Sequence, residues 1–398
     1  MERLRLVVFG LGNRARKYLS YLDMHPKEAV LAAVIEPDKF NRAWARRRYG
    51  VPGAACFADA ESFFSSGIEV DAAIVASPDR VHYSQMRGLL AMKCPALLEK
   101  PAACSWEECQ ELERLADGIP VGICYVMRFH PYYRRIKDII DSEELGRVVS
   151  VEHTEFIGPD RMGHTYVRGH WSKAEESAPI FLSKCCHDVD MLLWLLGGKA
   201  SEIRSEGSLS FFCPSNAPAG STARCVDCPM EQVCRYSAVD LYRRRREWTG
   251  SFVIPDGQTL SDVVERELTE GRFGRCVFHC DNDVFDRQTV SFRLGDIPVV
   301  MKMDGITPRE GRVSIFRCEK GTIEARETEI LILGANGRRE DFTEASRLPL
   351  HAYADHAVVE DFFRAIREGG RPSASLDEAL ESHRVCFVAQ ECNKSDRK

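Results

Sequence analysis

Short apolar runs alternate with amphipathic stretches through the first 125 residues, and this alternation constrains the fold more than any other feature of the chain. The runs at 4–9, 30–35, 72–76, 96–98 and 121–124 read as strands. The segments 15–23, 39–49, 79–92 and 105–117 read as helices. Strands separated by helices of this length pair in parallel, with the crossover helices covering both faces of the sheet. Buried parallel strands are continuous and rich in Val, Ile and Leu, as these are. The expectation is an α/β Rossmann-type, doubly wound parallel sheet over residues 1–126.

The pattern then changes. Helices are expected at 129–141 and 180–196, and strand-like runs at 148–156, 202–212, 276–279, 289–294, 298–303, 313–318 and 330–333. Two closing helices follow at 353–368 and 375–394. Strands without intervening helices indicate an α+β domain with a mainly antiparallel open sheet, here residues 127–398. Residues 213–275 lack clear periodicity and read as an insertion. The C-terminal helix is expected to pack back on the first domain.

Composition narrows the functional classes. Apolar residues make up 44% and charged residues 29%, which excludes a disordered chain. No stretch approaches the ~20 apolar residues that span a bilayer. With 54 Lys+Arg against 60 Asp+Glu the net charge is −6, without the basic excess of a nucleic-acid binder. The N-terminal apolar run is shorter than the roughly 7–15 residues of a secretory core. Most of the sixteen cysteines are therefore expected to be reduced thiols of a cytoplasmic protein, one cluster excepted.

Gly10-Leu11-Gly12-Asn13-Arg14-Ala15 follows the first strand and opens the first helix. The first glycine makes the tight turn and the second admits a pyrophosphate; Ala15 lets the helix pack closely. The phosphates would rest on the amides of the helix N-terminus. Glu36, at the end of the second strand, suits the ribose hydroxyls of NAD and repels a 2′-phosphate, which favours NAD over NADP, although Arg42 could still accommodate a 2′-phosphate. Ser77, Pro78 and His82 follow the 72–76 strand, and Glu99 and Lys100 follow the 96–98 strand. These are the strand ends where ligands bind in open α/β sheets. Lys100 there can hold a substrate oxygen and move a proton.

The glycine hexapeptide, Pro78 with His82, Glu99-Lys100-Pro101, Arg128-Phe129-His130-Pro131 and His187-Asp188-Val189-Asp190 occur in the order seen in the Gfo/Idh/MocA oxidoreductases. The chain resembles that family from about residue 4 to about residue 200. The resemblance implies an NAD(P)-binding domain joined to an α/β domain whose sheet shields the active site. It implies Lys100 and His187 as catalytic residues, and a homodimer or homotetramer. Polyol dehydrogenases of the family commonly carry an aspartate where this chain has Ser183. Ser183, Lys184 and Asp190 share the helix of His187, and with Arg128 they are expected at the substrate. His164, Tyr166, Arg168 and Trp171 form an aromatic and basic segment suited to sugar recognition. Lys100, Arg168 and Lys184 would leave such a pocket positive and suited to an acidic sugar.

Cys225, Cys228 and Cys234 have the C-x2-C-x5-C spacing of a metal knuckle, for which a structural zinc is expected. Cys213 is the nominal fourth ligand, with Cys276 and Cys280 as alternatives. Arg243–Arg246 reads as a solvated helix face. The leading expectation is an NAD-dependent oxidoreductase acting on a carbohydrate hydroxyl. Two alternatives are a glycoside hydrolase that oxidises its substrate transiently, with Tyr166 or His164 as the elimination base, and a non-catalytic NAD(H) sensor.

Overall fold

The computed structural model describes residues 2–255, 257–326, 328–334, 337–341 and 352–395. The chain divides into two compact units. One comprises Met1–Ile139, Val189–Leu195 and Phe342–Phe387; the other comprises Ile140–Asp188, Leu196–Asp341 and Val388–Lys398.

The first unit is built on strands β1 (Leu4–Phe9), β2 (Ala29–Ile35), β3 (Cys56–Phe57), β4 (Ala72–Val75), β5 (Ala96–Leu98) and β6 (Val121–Ile123). They pair in parallel in the order β3-β2-β1-β4-β5-β6, so the winding reverses between β1 and β4. Helices α1 (Asn13–Met24), α2 (Lys39–Tyr49), α3 (Ala60–Phe64), α4 (Asp79–Ala91), α5 (Trp106–Leu115) and α6 (Pro131–Asp141) fill the crossovers and the exit from the sheet. Val7, Val8, Phe9 and Val75 are fully buried, as strands covered on both faces must be. The Asp38 and Ser105 side chains cap α2 and α5. No side chain caps α1. The short β3 and α3 escaped the sequence reading because neither is long enough to show a period.

The second unit holds eight strands: β7 (Val148–Phe156), then, after helix α7 (Ile180–Leu196), β8 (Ala200–Ser208). Helix α8 (Leu260–Thr269) precedes β9 (Arg287–Leu294), β10 (Ile297–Asp304), β11 (Gly311–Cys318), β12 (Gly321–Arg326), β13 (Glu329–Leu333) and β14 (Arg338–Asp341). The order is β14-β13-β12-β11-β7-β10-β9-β8. Among the described residues of this sheet only β7 and β10 pair in parallel. The strand expected at 276–279 is instead an irregular turn, closed by His279 N–H donating to the Cys276 carbonyl at 3.0 Å. The insertion is not featureless: Tyr242, Leu268, Ala238 and Phe273 form a small core of their own, with Trp248 and Phe252 against it. Among the described residues no helix is long and apolar enough to cross a membrane, and no disulfide joins the cysteines.

Helices α9 (Ala352–Glu368) and α10 (Leu376–Ser395) close the chain. Residues of this stretch up to Phe387 belong to the first unit. There Ile123 N–H donates to the Ala374 carbonyl at 2.8 Å, and Gly122 bridges Ser375 in antiparallel fashion beside β6.

Candidate active site

At the switch point, Gly10 sits at φ +81° with its amide on the Ile35 carbonyl at 2.8 Å. A Cβ there would meet the Ala76 carbonyl oxygen and Ser77 Cα at 2.8 Å, so the turn admits glycine alone. A Cβ on Gly12 would meet nothing within 4 Å, which leaves space over the start of α1. Because α1 has no side-chain cap, its first amides remain available to an anion. Asn13 is exposed beside them. Glu36 is buried and accepts from Leu11 N at 2.6 Å and from Asp38 N at 2.9 Å. Its carboxylate therefore stands against the glycine turn.

Several residues expected at the cofactor instead brace the turn. The Arg14 guanidinium donates to Glu99 Oε1 at 2.6 Å and to Asp355 Oδ1 at 2.8 Å. The Tyr18 hydroxyl donates to the same Glu99 oxygen. Burial pushes the Glu99 carboxyl up, but Arg14 and Lys100 outweigh it and hold the group below the usual range. His82 is fully buried, with its ring nitrogens on the carbonyls of Pro101 (2.8 Å) and Ser77 (2.9 Å), so it ties the two strand exits together and has no free edge for a cofactor. Ser77 Oγ donates to Gln85 Oε1 at 2.6 Å, while Pro78 lies exposed at the start of α4.

Lys100 is half-buried and follows Glu99, whose Oε2 accepts the Lys100 amide at 3.0 Å; the Lys100-Pro101 peptide is cis. Two residues on, Ala102 N–H donates to His383 Nε2 at 2.9 Å. That bond makes Nε2 the acceptor, so Nδ1 carries the proton, donated to the Ala379 carbonyl at 3.1 Å. Burial drives the His383 pKa down to about 4; the Ala379 carbonyl opposes this and the Lys100 charge adds to it. His383 thus holds the backbone just past Lys100. No sequence signal marked it, since 281 residues separate the partners.

Arg128 and Asp190, both expected at the substrate, are spent on one another. Arg128 Nε donates to Asp190 Oδ2 at 2.9 Å and Nη2 to Oδ1 at 2.6 Å; Nη1 reaches the Ser373 carbonyl at 2.9 Å. Both side chains are buried. Burial pushes the Asp190 carboxyl up and Arg128 only partly offsets it.

In the second unit, α7 carries half-buried His187 between ion-paired neighbours. Asp188 is fully buried, receives Arg312 Nε and lies 3.0 Å from His153 Nε2; His153 Nδ1 lies 2.8 Å from Ser314 Oγ. Burial would raise the Asp188 pKa, but Arg312 and His153 overcome it and hold the group well below the carboxylate range. Lys184 pairs with Glu155, whose other oxygen lies 2.9 Å from Arg312 Nε. Ser183 is buried, its hydroxyl 3.3 Å from the Ile180 carbonyl. Glu155, His153 and Arg312, none of them singled out in the sequence, lock the turn of α7 that presents His187.

The aromatic and basic segment behaves differently from its expectation. His164 stacks on Phe273 (centroids 4.8 Å apart, 13° between planes), and its Nδ1 lies 2.8 Å from the Tyr242 hydroxyl. Burial, then Arg168, lowers its pKa to about 4. Arg168 is fully buried in the insertion, and Tyr166 is buried; Trp171 is half-buried. His164 and Arg168 are therefore parts of the insertion core. Within Arg243–Arg246, Arg243 pairs with Glu265, Arg244 with Glu231 and Arg245 with Asp160, and the four side chains are exposed.

Cys225, Cys228, Cys234 and Cys276 line one small cavity. Cys213 lies outside it, with its Sγ 3.4 Å from the Ser210 carbonyl and 3.2 Å from Ser215 Oγ, which corrects the expected ligand set. As placed, no group of three or more His, Cys, Asp or Glu side chains among the described residues converges on a metal position.

A glycine turn at the switch point, with an uncapped helix and an acidic residue on the neighbouring strand, defines an NAD-binding Rossmann unit. Residues 4–121 match the profile described as oxidoreductase family, NAD-binding Rossmann fold. Residues 133–217 match the GFO/IDH/MocA C-terminal domain. The chain belongs to the Gfo/Idh/MocA family of oxidoreductases. The Bacillus subtilis protein YteT is 24% identical over 70% of this chain and 62% of its own length. Inositol 2-dehydrogenase from an Arthrobacter species is 32% identical over 38% of this chain and 45% of its own. The chain thus spans about half the length of the curated relatives it matches. An Agrobacterium radiobacter oxidoreductase, crystallised with NAD+, L-tartaric acid and magnesium, shares the fold at a TM-score of 0.71 and 16% identity, over 99% of this chain and 97% of that one.

Proposed function

We propose that the chain is an NAD-dependent oxidoreductase acting on a CH–OH group of a sugar, polyol or glycoside. The observation that carries this reading is the Gly10 turn, open above Gly12, with the Glu36 carboxylate held 2.6 Å from Leu11 N. NAD, when bound, supplies the hydride acceptor. The amides at the start of α1 would hold its phosphates, and Glu36 its ribose hydroxyls, which favours NAD over NADP. Lys100 would hold the carbinol oxygen through its ammonium and relay the proton, giving one of its own to His187 as it takes up that of the carbinol, and His187 would exchange it with solvent. Glu99, its charge shared with Arg14 and Tyr18, orients the Lys100 backbone.

The substrate is read as an uncharged polyhydroxy compound. Arg128 and Lys184 are neutralised by Asp190 and Glu155, and Arg168 lies in the insertion, so the positive pocket that would favour an acidic sugar loses its support. The likeness to an inositol 2-dehydrogenase points the same way. The elimination route has no observation in its favour, because His164 is stacked within an aromatic core. The cysteine knuckle, as a structural zinc site, and a homo-oligomer in the cytoplasm complete the reading.

A screen of NAD reduction across inositols, sugars and glycosides tests it. Turnover is expected on at least one neutral polyol or sugar, falling at least 100-fold in Lys100→Ala with NADH binding retained. Aglycone release from aryl glycosides without NADH accumulation would replace this reading with the hydrolase. NADH binding without turnover on any compound would leave only the sensor.

A further inference from the structure

Arg168 is the largest side chain buried to this degree, at 1% exposure, and its guanidinium meets no carboxylate among the described residues. Nε donates to the Arg275 carbonyl at 2.6 Å, Nη2 to the Tyr236 carbonyl at 2.5 Å, and Nη2 also reaches Cys225 Sγ at 3.7 Å. Carbonyl dipoles solvate a cation only in part, and a buried guanidinium without a counter-charge is costly. Cys276, Cys280 and the Tyr242 hydroxyl also lie close to it.

Those thiols are arranged. Cys225, Cys228 and Cys234 lie on consecutive tight turns, with Cys228 N–H on the Cys225 carbonyl (3.3 Å) and Cys234 N–H on the Glu231 carbonyl (3.4 Å). Cys276 is far along the chain, yet Arg224 and Arg275 form an antiparallel bridge and Cys276 N–H donates to the Ala223 carbonyl at 2.9 Å. The backbone therefore delivers a fourth thiol to the cavity lined by the first three. Glu231, which also borders the cavity, is already bound by Ser237 and Arg244, and Cys280 Sγ turns to the Cys276 carbonyl at 3.2 Å.

We propose that Cys225, Cys228, Cys234 and Cys276 form a closed tetrathiolate zinc site whose negative charge is the counter-charge of buried Arg168. Each thiol releases its proton to solvent as its sulfur–zinc bond forms, after rotation about χ1 brings the four sulfurs together. Four thiolates around Zn²⁺ retain a net double negative charge, which Arg168 partly neutralises. The site leaves no open coordination position, so its role is to hold the fold. Arg168 ends the turn Met162–Arg168, so the metal fixes the backbone that carries Tyr166. This inference rests on the zinc reading of the knuckle, to which it adds Cys276 and Arg168, and its test is independent of the oxidoreductase activity.

The test is metal analysis of the full chain, produced with zinc in the medium and purified without chelator. About one zinc per chain is expected, with X-ray absorption showing four sulfur neighbours near ~2.3 Å. Cys276→Ser should release zinc to a chromogenic chelator at least tenfold faster than the parent chain, and Cys213→Ser at the parent rate. Arg168→Met should also speed release. If Cys276→Ser fails to fold, the metal content and sulfur shell of the parent chain decide alone. Four titratable thiols without zinc, a disulfide among these cysteines, bound iron, or zinc lost from Cys213→Ser and kept by Cys276→Ser would each overturn the proposal.

Discussion

Arg128 grips both oxygens of Asp190 from 62 residues away, with both side chains closed off from water. A buried ion pair broken on one side strands the other charge, at a cost of about 3–5 kcal/mol. Arg128→Ala is therefore expected to lower the unfolding free energy by about that amount in urea titrations. Were Arg128 a substrate group instead, the same change would raise KM and spare stability.

The two glycines of the nucleotide turn are expected to separate. Gly10→Ala places a methyl 2.8 Å from the Ala76 carbonyl at a positive φ, so both the melting temperature and NADH affinity should fall. Gly12→Ala meets open space in the protein and should leave stability within about 1 kcal/mol while weakening NADH, because its methyl enters the room kept for phosphates. Fluorescence titration of NADH beside thermal melts distinguishes the two.

Glu36 serves the apo turn and the cofactor preference together. Glu36→Ala removes the acceptor of Leu11 N and Asp38 N, at about 1–3 kcal/mol of stability, and should shrink the NAD over NADP preference by about tenfold. An unchanged ratio of the two affinities would remove Glu36 from cofactor selection.

His383 and His164 both fold with pKa values lowered to about 4 from an ordinary 6.5. Between those values the unfolded chain binds protons that the folded chain refuses. Stability from these rings is thus complete above pH 6.5 and is lost as pH falls toward 4, by at most about 3 kcal/mol each. Replacing His383 by Gln should lessen the slope of stability against pH in this window, while the lowered pKa values of His164, His130, His170 and His356 keep the rest of it. A slope equal to that of the parent chain would show that His383 takes up its proton in the folded state.

What the chain declares in its sequence is what lies close along it. Gly10, Gly12 and Ala15 sit in one hexapeptide between a strand and a helix, so their role is legible from spacing. The eight-stranded sheet was mostly legible too, from apolar runs such as those of β7 and β10. The charged residues of the motifs misled for a physical reason: Arg128, Asp190, Lys184 and Arg14 look like ligand contacts until their partners are known. Those partners lie far away in sequence, Asp355 being 341 residues from Arg14. Cys276 escaped the nominal ligand set in the same way, because only the bridge at Arg224 and Arg275 brings it to the knuckle.

The brace that Asp355, Ser382 and His383 supply also sets an order of events. During synthesis the six-stranded sheet leaves the ribosome long before these residues exist. Until they arrive, Arg14 lacks one carboxylate, the Tyr125 hydroxyl lacks Ser382, and the amide after Pro101 lacks its imidazole. A nascent nucleotide unit therefore waits, incomplete, through the translation of the whole second sheet, and contacts spanning so much chain form slowly. Vectorial folding cannot finish this half first.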